Sequence, residues 1–148
     1  MRLQLRIPPD PRYARTVREA VMGFALLHGI AQSDLEALLF AIGEALANAI
    51  EHARSARDLE VVATIDDDHI LASIIDFGRG LPALPADDAP LPSALSERGR
   101  GIPIMQRCTD FFSVESRPGA GTVVTLGRFR RDRLSIATPS SQETSAAS

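Results

Sequence analysis

The sequence predicts an α+β fold: a two-layer sandwich in which helices cover one face of a mixed, mostly antiparallel sheet. The first observation is that apolar residues recur at three- and four-residue steps early in the chain, as in amphipathic helices. The second is that short, turn-connected stretches rich in β-branched residues dominate the later part, as in hairpins. At 148 residues the chain is long enough for one core, and we expect a single domain over residues 1–131.

Each element follows from a local pattern. Residues Arg2–Ile7 alternate between polar and apolar, which predicts a strand. Asp10 is a suitable N-cap for a helix that ends near Leu27, with Gly29 as its C-terminal cap. The central helix is predicted at Ser33–Arg54. The remaining elements are strands at Leu59–Asp66, Ile70–Asp76, Phe111–Arg117 and Thr122–Phe129, and a helix at Ile102–Thr109.

Two segments break these patterns. Residues 77–101 are rich in glycine and proline and too long for an ordinary connection, so we expect a functional loop or lid there. Residues 132–148 are dominated by small and polar types, and we expect this tail to be disordered.

Composition excludes several function classes. The net charge is −3 and no basic stretch stands out, which argues against nucleic acid as the main partner. The chain has no lysine, so a Walker A phosphate loop and Schiff-base chemistry are excluded. Its single cysteine, Cys108, excludes an internal disulfide and fits a cytoplasmic location. We find no signal peptide and no run long enough to span a membrane.

The central helix carries three polar residues, Glu44, Asn48 and His52, at four-residue steps along one edge. An amide oxygen suits Mg²⁺ when phosphates and water supply the other ligands, and a carboxylate one turn earlier suits a general base. The alternative is a solvent-facing helix edge with no chemistry. We expect His52 to cap or pack near the helix end rather than to bind a metal.

Two glycine-rich clusters follow. Asp76 ends a strand before Gly78 and Gly80, where a carboxylate can accept from an exocyclic amine while the glycines admit a flat ring. Gly99 and Gly101 precede a helix, where free N–H groups attract anions, and Arg98 and Arg100 add charge. The alternative for each cluster, taken alone, is a simple turn.

Taken in order, these motifs resemble those of the Bergerat-fold (GHKL) ATPases, the superfamily of DNA gyrase, Hsp90 chaperones, histidine kinases and MutL. The order is Glu-x-x-x-Asn on a helix, Asp-x-Gly-x-Gly, Gly-x-Gly before a helix, and Gly121-Thr122 on a late strand. The short length and the stretch EALANAIEHA are similar to those of the small bacterial anti-sigma factor serine/threonine kinases, or switch-protein kinases.

The resemblance implies a role for each matched residue. Glu44 is expected to be the catalytic base and Asn48 the ligand of Mg²⁺ bound to ATP. Asp76 is expected to contact the adenine amine, with Thr122 nearby. The residues expected to shape the adenine pocket are Gly78 and Gly80, and those expected to meet the phosphates are Arg98, Gly99, Arg100 and Gly101.

The resemblance also implies partners. These are a STAS-domain anti-anti-sigma protein as phosphate acceptor, a sigma factor or other regulator, and a second copy paired through the first strand and helix. Two alternatives stay open at this point. One is a non-catalytic module that binds ATP and sequesters its partner, and the other is the catalytic domain of a longer histidine kinase.

Overall fold

The computed structural model describes residues 1–52, 54–78 and 101–131. Within these ranges the chain forms a five-stranded sheet and three α-helices. In order, the elements are β1 (Arg2–Ile7), a 3₁₀ turn (Pro11–Tyr13), α1 (Ala14–Leu27), α2 (Gln32–His52), β2 (Leu59–Ile65), β3 (His69–Asp76), α3 (Gly101–Cys108), β4 (Phe111–Arg117) and β5 (Gly121–Phe129).

The sheet has the strand order β1-β2-β3-β5-β4, so the last strand in sequence lies inside it. Every neighbouring pair among the described strands is antiparallel, where a mixed, mostly antiparallel sheet was expected. The pairing of β3 with β5 sets Asp76 opposite Thr122, because β3 ends where β5 begins. The predicted α+β sandwich is confirmed.

The core lies between the sheet and the helices. Residues of β2 alternate between buried and half-buried, as expected for a strand that presents one face to a helical layer. Helix α1 packs on β1 and β2, α2 packs on β3 and β5, and α3 packs on α2 and β4. Burying one large aliphatic side chain contributes about 1.5–3 kcal/mol. The largest fully buried aliphatic side chains include Val17, Val21, Leu35, Leu38, Ile42, Leu46, Leu59, Ile70, Ile74 and Leu126.

The cap predicted at the end of α1 forms, but Asp10 caps the 3₁₀ turn (Pro11–Tyr13) that precedes α1, and α1 itself begins at Ala14 without a side-chain cap. The Asp10 carboxylate accepts a hydrogen bond from the Arg12 N–H at 2.9 Å. At the other end Gly29 has φ +77°, and the Ile30 N–H bonds to the Ala25 carbonyl at 3.0 Å, which is a Schellman motif. This stop turns the chain back so that α2 can start at Gln32, one residue before the predicted start.

The predicted lid over residues 77–101 falls mostly outside the described residues, as does the predicted disordered tail at 132–148. Across the described ranges, no helix combines the length and the apolar character needed to cross a membrane.

Candidate nucleotide-binding site

A cleft opens at one end of the helix-covered face of the sheet, between α2, α3 and the strands β3, β4 and β5. Its cavity volume is about 50 Å³, which is smaller than that of most small-molecule sites, and the space including the open mouth is about 470 Å³. Most of its surface is apolar, and four polar side chains interrupt it. The lining residues are Ala45, Asn48, Ala49, His52, Ile74, Asp76, Ile102, Met105, Val114, Thr122 and Val124.

Topology explains why the polar residues meet at this end. Helix α2 runs toward the end of the sheet where β2 begins, since only a short loop separates His52 from Leu59. Because β2 and β3 are antiparallel, with Glu60 opposite Ile75, strand β3 ends at the same edge. The end of α2 and the end of β3 therefore line one cleft.

Asp76 is the buried acid of this cleft, with 7% of its surface exposed. Its Oδ1 accepts a hydrogen bond from the Gly78 N–H at 3.0 Å. Burial raises the pKa of Asp76 above its ordinary value, while the backbone N–H groups of Gly78 and Thr122 and the charge of Arg117 oppose that rise in pKa. Because burial outweighs these contacts, the charged form of the carboxylate is incompletely compensated by its surroundings.

Gly121 holds the Asp76 segment at close range. Its φ is +105°, a conformation that residues with a Cβ rarely adopt. A Cβ at this position would collide with the Asp76 carbonyl oxygen and would lie 2.9 Å from the Phe77 Cα. The glycine that precedes Thr122 is therefore required for β5 to lie against the end of β3.

The strands β3, β4 and β5 form one wall of the cleft, and helix α2 forms a second. Asn48 and His52 lie one turn apart and line the cleft, and Ala45 and Ala49 beside them are small enough to leave it open. Glu44 is half-buried one turn before Asn48 and is not among the lining residues. Residues at this spacing have Cβ atoms about 5–6 Å apart, so Glu44 lies beside the cleft rather than in it.

Helix α3 forms the third wall through Ile102 and Met105, and Met105 is 1% exposed. Arg128 fixes the end of this helix. Its Nη1 donates to the Cys108 carbonyl oxygen at 3.3 Å, and its Nε lies 3.2 Å from Asp110 Oδ2. A cation at a helix C-terminus also interacts favourably with the helix dipole.

The cleft thus brings together three of the predicted site residues, Asn48, Asp76 and Thr122, and Gly78 bonds to one of them. Gly101 is the first residue of α3. The predicted residues Gly80, Arg98, Gly99 and Arg100 lie outside the described residues.

The prediction from sequence did not include the apolar residues that line the cleft, and it gave His52 a capping or packing role instead of a place in the site. Ile74, Val114 and Val124 alternate along strands, and Ile102 and Met105 recur along a helix, as ordinary core residues do. One usable signal was present: Ala45 and Ala49 flank Asn48 on the face of α2 that the helix buries.

No group of three or more side chains of the metal-binding types His, Cys, Asp and Glu is assembled within the described parts of the chain. A magnesium ion that arrives with a nucleotide needs only one or two protein ligands, because phosphates and water provide the rest. The single amide of Asn48 at the cleft wall fits that requirement.

Comparisons with known proteins identify the family. The model of the histidine kinase-like ATPase domain matches residues 7–128, which is most of the chain. The serine-protein kinase RsbW of Bacillus velezensis is 26% identical over 136 residues, covering 83% of each protein. The anti-sigma F factor of Caldanaerobacter subterraneus subsp. tengcongensis is 31% identical over 122 residues, covering 79% of this chain and 83% of that protein.

A solved structure has the same fold as this chain. The crystal structure of the RsbU and RsbW domains of Rv1364c from Mycobacterium tuberculosis superposes with a TM-score of 0.66 at 23% identity. The match covers 87% of this chain but only 32% of that longer one. The resemblance inferred from the sequence motifs is confirmed: the chain belongs to the histidine kinase-like ATPase domain family, whose nucleotide is ATP.

Proposed function

We propose that this protein, an ATP-dependent protein serine/threonine kinase, phosphorylates a small STAS-domain antagonist and binds a sigma factor or another regulator in a partner-switching circuit. One observation carries the proposal: the amide of Asn48 and the buried carboxylate of Asp76 line the same apolar cleft. The names of two relatives, serine-protein kinase and anti-sigma F factor, support the choice of reaction and partners. Pairing of two copies through β1 and α1 stays a prediction.

Adenine binds in the apolar part of the cleft, with its exocyclic amine donating to Asp76. A carboxylate that is 7% exposed and held by two backbone N–H groups is fixed in direction, so it can select an amine donor. The Thr122 side chain, 8% exposed and directly opposite, is the second polar group at this end.

Asn48 would hold the Mg²⁺ that accompanies ATP, and the bound ion would neutralise charge on the phosphates. The position of Asn48 in the cleft wall supports this role. The residues predicted to bind the phosphates are Arg98, Gly99, Arg100 and Gly101, of which Gly101, the first residue of α3, lies within the described residues.

Glu44 acts as the general base. Its carboxylate takes the proton of the acceptor hydroxyl while that oxygen forms a bond to the γ-phosphorus. The bond between the γ-phosphorus and the β–γ bridging oxygen breaks, and ADP leaves with that oxygen. The position of Glu44 beside the cleft, one turn before Asn48, supports this role because a base must face the protein substrate rather than the nucleotide.

The experiment that tests the proposal compares wild type with Glu44→Ala and Asn48→Ala. Each is incubated with Mg-ATP and a STAS-domain protein from the same organism, and phosphoserine and phosphothreonine are quantified by mass spectrometry. We expect Glu44→Ala to lower the transfer rate about 100- to 10,000-fold with nucleotide affinity unchanged. Asn48→Ala should instead weaken Mg-ATP binding.

Two outcomes would contradict this account. Transfer by Glu44→Ala at the wild-type rate would remove Glu44 as the base. ATP binding by the wild type without transfer to any STAS-domain protein of that organism would favour the alternative, a non-catalytic module that sequesters its partner.

A further inference from the structure

We propose that Arg57, in the loop between α2 and β2, is a positioning residue for adenine recognition. It acts through Phe77, the residue that follows Asp76 in the chain. The inference rests on the proposed function, because it assumes that Asp76 receives the adenine amine.

The Arg57 guanidinium lies over the Phe77 ring, with 5.1 Å between its carbon and the ring centroid. This is within the distance at which a cation and an aromatic face attract. Successive side chains at a strand end point to opposite faces, so Phe77 lies on the face of the sheet away from the cleft. Arg57 therefore holds the Asp76 segment from behind.

The contact is part of a separate groove on that open face. Arg6 lines it as well, but the Arg6 guanidinium is bound by the Glu60 carboxylate at 2.7 Å. Of these two arginines, Arg57 is therefore the one that stacks on the aromatic ring. The groove residues are Arg6, Ala56, Arg57, Asp58, Glu60 and Phe77.

The main chain of the same segment is also held by the neighbouring strand β5. Gly121 packs against the peptide that joins Asp76 to Phe77, so closely that no Cβ fits. The Gly78 N–H then bonds back to the Asp76 carboxylate at 3.0 Å. The segment from Asp76 to Gly78 is therefore held by β5 beside it in the sheet and by Arg57 on the open face.

The loop that carries Arg57 is itself ordered by local contacts. The Arg57 N–H donates to Ser55 Oγ at 3.1 Å, and Arg54 has φ +45°. The loop leaves α2 directly after His52, which lines the cleft. The contact from Arg57 to Phe77 thus ties the end of one cleft wall to the carboxylate in the other.

Removal of the guanidinium frees the Phe77 ring and lets the Asp76 carboxylate depart from the direction that an amine needs. We expect Arg57→Ala to weaken ATP binding about two- to fivefold, the range that loss of an exposed cation–π contact produces. Binding of inosine triphosphate, which has a carbonyl in place of the amine, should change little. The preference for ATP over inosine triphosphate therefore falls.

The test measures dissociation constants for ATP and for inosine triphosphate by calorimetry. It uses wild type, Arg57→Ala, Arg57→Lys and the matched control Arg6→Ala, all well below their thermal transitions. The proposal predicts a reduced ATP preference in Arg57→Ala, recovery in Arg57→Lys because lysine retains a cation over the ring, and no change in Arg6→Ala. A role in overall folding alone would lower binding of both nucleotides together.

Two results would overturn the proposal. One is an unchanged ATP preference in Arg57→Ala, and the other is an equal loss in Arg6→Ala. Failure of the underlying assignment is distinguishable: if wild type itself does not prefer ATP over inosine triphosphate, then Asp76 is not the adenine contact.

Discussion

The two ends of the helix-covered face both bury charged side chains, but they do so differently. At the far end Arg128 and Arg130 are each 9% exposed, and their guanidinium groups donate to the carbonyls of Cys108, His28 and Asp66. At the cleft end, Asp76 accepts hydrogen bonds from the backbone N–H groups of Gly78 and Thr122, and burial still raises its pKa. The far end thus supplies carbonyl acceptors for both guanidinium groups, while the buried Arg128 Nε makes no hydrogen bond within the described residues and lies 3.2 Å from Asp110 Oδ2. At the cleft end, burial outweighs the contacts that stabilise the charged form of Asp76.

The largest effect should come from Asp76→Asn, which keeps the size of the side chain but removes its charge. We expect ATP affinity to fall about 100-fold, since a hydrogen bond to a charged partner is lost. We also expect the free energy of unfolding without nucleotide to rise, because the uncompensated charge is gone. Calorimetric titration measures the affinity and urea denaturation measures the stability. If Asp76→Asn lowered both, the Asp76 charge would stabilise the fold, as the buried arginines at the far end do.

Arg128→Met should lower the free energy of unfolding, which Asp76→Asn is expected to raise. It leaves the Cys108 carbonyl and the Asp110 carboxylate without their guanidinium partner and should lower the free energy of unfolding by about 2 kcal/mol. The matched control is Arg15→Met, which breaks the exposed Arg15–Glu19 pair and should cost about 0.5 kcal/mol or less. Equal urea midpoints for the two variants would show that the Arg128 contacts add nothing beyond a surface pair.

The smallest effect is on the pH dependence of stability. Because the folded state raises the pKa of Asp76 above the ordinary 3.8, it binds that proton more readily than the unfolded state does. The stability contributed by Asp76 is therefore present at low pH and is lost as pH rises through the raised pKa. The advantage of Asp76→Asn over wild type should grow across that window in urea titrations, and a shrinking advantage would mean that burial does not dominate.

Much of this arrangement could be predicted from sequence, for identifiable reasons. The bounds of β1 and β4 match the prediction at both ends, because their residues alternate or are β-branched and aromatic between clear turn signals. Gly29 reveals the end of α1 by its own conformational preference, whereas Asp10 marks the 3₁₀ turn that leads into α1 rather than the first residue of α1. The motifs that contain Asn48, Asp76 and Thr122 resemble those of a known family in type and order, and that resemblance predicted the cleft that the three residues share.

The contacts that brace the site could not be predicted. Arg57 meets Phe77, and Arg128 meets the end of α3, only because of how non-consecutive elements pack. The insertion of β5 between β3 and β4 has no local signal, yet it sets Gly121 against Asp76. Apolar residues that line a cleft have the same periodicity as those that fill a core.

The most direct test of the central claim is photolabelling with 8-azido-ATP, followed by mapping of the labelled peptides. The account predicts label on peptides that hold the cleft walls, those with Met105 or Thr122, and its suppression by excess ATP. It also predicts little label in Asp76→Asn. Label that excess ATP suppresses but that lies only on peptides away from the cleft, with Asp76→Asn labelled as strongly as wild type, would contradict it.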